Sequence, residues 1–150
     1  MKRNIHLVAA ILATLCIVTF FTSTILVELF GRPELIATVK GLIATPGLFI
    51  LVPAIAITGG SGFALSKKRK GRLVDSKKKR MPFIGMNGLL ILLPSAILLD
   101  QWASAGSFDI KFYLIQGLEL AAGAVNLTLM AMNMRDGLKL TGKLRPKKNH

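Results

Sequence analysis

Gln116, Glu119, Gly123, Asn126, Met130 and Asn133 make up the one arrangement in this sequence with evident chemical capacity. At about 100° per helical residue they fall within a sector of about 100°, one polar stripe along an otherwise apolar rod. Residues 112–134 contain a single charged side chain, Glu119, about 10 Å in from Phe112 along a straight helix. A carboxyl at that depth loses its hydration and needs donors or a cation beside it. The sequence offers no Lys or Arg inside an apolar run, so hydroxyls and amides are the expected partners. Matching levels across neighbouring helices places Ser95 near Glu119, Asn87 near Asn126 and Thr128, and Asp100 or Gln101 near Gln116. Thr19 or Thr22 reaches the depth of Glu119 from the first helix.

Two chemistries fit that stripe. In the first it joins helices, each polar contact contributing about 0.6 kcal/mol and seldom above about 2. In the second Glu119 is a proton or cation site, with Asn87, Ser95, Gln116 and Asn126 as ligands and relay. The second lacks a further buried ionisable group, which a proton relay needs.

Other reactive residues lead less far. Met130, Met132 and Met134 could offer thioethers to copper(I), but alternate helical residues diverge, so only Met130 and Met134 can converge, and apolar packing is the expectation. His6 and His150, the only imidazoles, lie near a span end and at the chain end, which argues against a haem held by buried histidines. No Ser-His-Asp or Cys-His set can be assembled. The single cysteine, Cys16, lies mid-span as a packing residue, with no partner for a disulfide, metal or redox motif. Gly59-Gly60-Ser61-Gly62 lacks the Lys and the preceding strand of a phosphate loop and is expected to be a close helix crossing or a loosened helix end. No metal or other cofactor is expected, and no sign of an enzyme appears.

These side chains must be positioned by long apolar helices. Residues 4–27, 41–66 and 81–99 contain no Lys, Arg, Asp or Glu. Each run exceeds the roughly 18 residues that bridge a hydrocarbon layer about 30 Å thick. The predicted fold class is all-α: an integral membrane four-helix bundle of antiparallel up-down topology, with spans at about 5–27, 41–65, 82–99 and 112–134. The N-terminal segment has a basic start like a signal peptide but an over-long apolar stretch and no A-x-A-like site, so it is expected to stay as the first helix. Pro46 and Pro53 share nearly one face of the second span and predict a kink, while Ala54, Thr58 and Gly62 form a small-xxx-small packing face. Pro94 predicts a kink in the third span, and Trp102 an interfacial anchor. Residues 28–40 read as a turn and a short amphipathic piece along the interface. A short connection at residues 101–110 makes the last two helices a hairpin. The helix pairs differ too much for an inverted repeat.

Basic residues orient the bundle. Seventeen of the twenty Lys and Arg fall at the N-terminus, in residues 67–80 and in residues 135–148, against Arg32, Lys40 and Lys111 on the other side. That asymmetry predicts a multi-pass protein with both termini cytoplasmic. Residues 67–80 are too short and basic to fold alone. Their cations Lys67, Lys68, Arg69, Lys70, Arg72, Lys77, Lys78, Lys79 and Arg80 are expected at anionic lipid headgroups. The net charge of +13 also suits a nucleic-acid binder, but no nucleic-acid motif accompanies it, and topology explains the charge more simply.

The segments at residues 87–99, Gly106-Ser107-Phe108-Asp109, Phe112-Tyr113, Gln116-Gly117-Leu118-Glu119-Leu120, residues 122–127 and Asn133-Met134-Arg135-Asp136-Gly137 resemble small four-helix bacterial inner-membrane proteins. The resemblance covers mainly the second hairpin. It implies a bacterial inner membrane and brings no activity, cofactor or catalytic residue with it. The expected role is a non-enzymatic structural, accessory or assembly subunit, in a homo-oligomer or a larger membrane complex. The competing expectations are a small proton- or cation-coupled transporter or channel using Glu119, and a membrane enzyme or redox subunit.

Overall fold

The computed structural model describes residues 1–142 and is helical apart from short connections. Four helices are long and apolar enough to cross a membrane: α1 (Lys2–Phe30), α2 (Pro33–Ser66), α3 (Arg72–Ser104) and α4 (Ile110–Leu140). The C-terminal tail beyond residue 142, with His150 and the basic residues Lys143, Arg145, Lys147 and Lys148, lies outside the described residues.

All four helices run past the apolar runs that define them in the sequence. Only Gly31 and Arg32 separate α1 from α2. The Gly31 amide donates to the Val27 carbonyl at 2.9 Å, and a side chain on Gly31 would collide with that carbonyl. Arg32 is extended and Pro33 opens α2, where its fixed φ suits a first helical position. Residues 33–40 are therefore the first turns of α2 rather than a separate interfacial piece.

The expected bend in α2 falls at Thr45, which leaves the helical region (φ −143°, ψ 115°) inside a wider π-type turn, Ile43–Gly47. Proline disfavours the helical conformation for the residue before it, and Pro46 follows Thr45. Pro53 sits within regular helix. In α3 a second π-type turn, Gly88–Leu92, directly precedes the regular segment that contains Pro94. Residues 72–80, expected as loop, form the first turns of α3 behind Gly71, whose φ of 131° favours glycine. Asp109 caps α4 by accepting from the Phe112 amide at 3.1 Å.

Two apolar clusters hold the bundle. Ala13 and Ile17 of α1 meet Leu51 and Ala54 of α2 and Met130 of α4. Nearer the other ends, Val27, Ile36, Leu99, Ala103 and Phe112 bring all four helices together, with Trp102 packed against them. Outside these clusters large apolar side chains remain uncovered, among them Leu15, Phe49, Leu90 and Leu114. A water-soluble bundle does not leave apolar area of that extent bare.

Candidate functional site

The inward stripe of α4 meets partners at three levels. At the first, the Lys40 ammonium donates to Glu119 Oε2 at 2.9 Å, and Gln116 Nε2 donates to the same oxygen at 2.9 Å. The Lys40 side chain is only 1% exposed and that of Glu119 14%, so the pair is largely withdrawn from solvent. Lys40 also approaches Thr24 Oγ1 at 3.4 Å. Glu28 lies within electrostatic reach of both Lys40 and Glu119.

This geometry corrects the expectation that Glu119 has no cation. Lys40 precedes the uncharged run and so falls in the predicted turn and amphipathic piece at residues 28–40. Its position nonetheless belongs to the buried stripe of α2, which runs Ile36, Lys40, Ile43, Gly47, Leu51 and Ala54 at spacings of three or four. That periodicity was the available signal. It was hidden because a charged residue is discounted when apolar positions are sought. Thr24 is the α1 hydroxyl at this level, whereas Thr19 and Thr22 are exposed. Ser95 is buried, but the side-chain partners of Glu119 are Lys40 and Gln116.

The second level is an amide pair. Asn87 Nδ2 donates to Asn126 Oδ1 at 2.8 Å and to the Ala122 carbonyl at 2.9 Å, while Asn126 Nδ2 reaches the Ile84 carbonyl at 3.5 Å. Asn126 is fully buried. Gly123, which lies between these two levels along α4, packs against the Phe21 ring of α1.

At the third level Arg80 Nη1 donates to Asp136 Oδ2 at 2.7 Å and approaches Asn133 Oδ1 at 3.4 Å. Asp136 is 2% exposed. Arg80, expected at lipid headgroups, is thus engaged within the protein. Lys77 and Lys78 are half-buried, and Lys67, Lys68, Arg69, Lys70, Arg72 and Lys79 are exposed. Lys67 also lies over the Phe63 ring, 5.3 Å from its centre.

Elsewhere, His6 Nδ1 lies 3.1 Å from the Thr58 carbonyl and 3.0 Å from Ser61 Oγ, a contact between α1 and α2. With a proton on Nδ1 the ring donates to that carbonyl. Met130 is buried in the first apolar cluster while Met134 is exposed, so the two thioethers do not face one centre. Among the described residues no group of three or more His, Cys, Asp or Glu is placed to hold a metal ion. Comparison with known proteins adds no relative: no family model, curated protein or solved structure matches the chain.

Proposed function

We propose that this chain is a multi-pass protein of a bacterial inner membrane, built as an antiparallel four-helix bundle with both termini and residues 67–80 in the cytoplasm. Its role is non-enzymatic, that of a structural, accessory or assembly subunit. The carrying observation is that Lys40 occupies Glu119. With Asn87 on Asn126 and Arg80 on Asp136, the polar stripe of α4 is engaged with α2 and α3 at every level. The Phe21 ring packs against Gly123 of α4 between the first two levels, which supports a stripe used for helix packing.

The pairings also support the antiparallel arrangement, because Arg80 meets Asp136 while Asn87, further along α3, meets Asn126, further back on α4. α3 and α4 each exceed about 45 Å, more than an apolar layer of about 30 Å requires. The overhanging turns that carry Arg80 and Asp136 form the cytoplasmic end of this hairpin. Around it the exposed cations Lys67, Lys68, Arg69, Lys70, Arg72 and Lys79 form a basic rim for anionic lipid headgroups. Exposed apolar faces such as that of Phe49 and Leu114 are covered by lipid, further copies of the chain or a larger complex. Nucleic acid has no part in this reading.

Reconstitution tests it. In proteoliposomes under an imposed proton or alkali-ion gradient, the full-length protein is expected to carry no flux. A flux abolished by Glu119→Gln at unchanged stability would overturn the structural reading.

A further inference from the structure

The first level of the stripe has an unbalanced charge. Lys40 of α2 meets Glu119 of α4 there, and Glu28 of α1 lies within electrostatic reach of both. Asp100 of α3 stands nearby, its carboxylate 3.6 Å from the point a side chain on Gly41 would occupy. One ammonium thus contacts Glu119 and lies within the field of Glu28, and the neighbouring acid adds to the negative excess. An uncompensated charge withdrawn from water costs several kcal/mol, so such a cluster attracts a positive charge.

A second, independent observation points the same way. Glu28 Oε1 and Gln116 Oε1 are both buried without a hydrogen-bond partner among the described residues. Gln116 is 96% buried, its residue being only 4% exposed, and its amide is held inside the cluster by donation from Nε2 to Glu119. Its free oxygen is therefore an acceptor fixed within a negatively charged group. Acceptors of this kind are rarely left unmatched in a folded interior.

We propose that Glu28, Lys40, Gln116 and Glu119 form a binding site for one monovalent cation, a proton or an alkali-metal ion, received by the oxygens of Glu28 and Gln116 that the bundle leaves free. A calcium-like ion suits the cluster poorly, since it takes six to eight oxygens and these residues offer only a few around an ammonium. Occupancy neutralises the glutamates while Lys40 stays on Glu119, so binding requires no transport.

The chain has only three glutamates, Glu28, Glu34 and Glu119, which makes the test direct. The full-length protein, 13C-labelled at the glutamate carboxyls, is placed in zwitterionic nanodiscs with choline chloride as the only salt. Exposed Glu34 is the internal reference. The Glu28 and Glu119 signals are expected to move in one concerted step. An alkali ion is identified if the step follows replacement of choline by Na⁺ or K⁺ at constant pH. A proton is identified if the step follows pH alone, at a midpoint distinct from that of Glu34. Gln116→Leu is expected to weaken the step about tenfold, equivalent to roughly 1.4 kcal/mol. The proposal is overturned if Glu28 titrates with Glu34 and ignores Na⁺ and K⁺, as it would if water satisfied the free oxygens. Backbone-correlated assignment of the wild type preserves the test if a variant fails to fold. Absence of flux in proteoliposomes bears on the structural reading and not on this site, so the two fail separately.

Discussion

At the scale of single residues, the Lys40–Glu119 contact is where the structural reading is most exposed to test. Removing one member of a buried ion pair leaves the other unpaired, whereas replacing both with apolar groups removes the desolvation cost as well. Lys40→Met is therefore expected to destabilise the protein by about 3–5 kcal/mol in equilibrium unfolding from mixed micelles. The double variant Lys40→Met with Glu119→Leu is expected to return to within about 1–2 kcal/mol of the wild type. If the single variant is as stable as the wild type, the contact contributes nothing and the stripe needs another account.

Between helices, the glycine-rich run of α2 separates packing from mere composition. Gly62 is buried, and a side chain there would strike His6 of α1 and the Met81 side chain of α3, while Gly59 faces open space. Gly62→Val is expected to lower stability by about 1–3 kcal/mol through overpacking. Gly59→Ala is expected to be neutral, or to stabilise by up to about 1 kcal/mol through helix propensity. Parallel thermal melts check both, and an equal response at the two positions would contradict the assigned crossing. This crossing was legible as Ala54, Thr58 and Gly62, because small residues at every fourth position are a direct imprint of close helix approach. The lengths of the helices were not. Residues 33–40 and 72–80 mix apolar with charged side chains and carry no long apolar run, yet they are helical because Pro33 and Gly71 provide starts and no glycine or further proline falls within them. The Asn87–Asn126 pair followed from counting levels across a hairpin, since a short connection fixes register. Thr24 and Glu28 did not, because the contact between α1 and α4 has no short connection to set it. Asp136 lies beyond the apolar run at residues 112–134, although it continues the stripe three residues past Asn133.

For the molecule as a whole, the exposed apolar belt and the skewed basic residues are the two observations that any account must join. If the rim made by Lys67, Lys68, Arg69 and Lys70 holds anionic lipid, replacing the four with Gln weakens retention of that lipid by about 1 kcal/mol per charge at low salt. Lipid analysis of the purified protein reads this, and high salt is expected to abolish the difference. The membrane topology carries more of the account than any single site, and the one native cysteine makes it measurable. In a Cys16→Ala background, single cysteines placed by Arg32→Cys, Gly71→Cys, Ser107→Cys and Thr141→Cys report the three connections and the end of α4 through an impermeant maleimide. Positions 71 and 141 are expected to label from the cytoplasmic face alone, and positions 32 and 107 from the opposite face alone. Labelling of all four from one face, or of positions 71 and 141 from opposite faces, would contradict this topology.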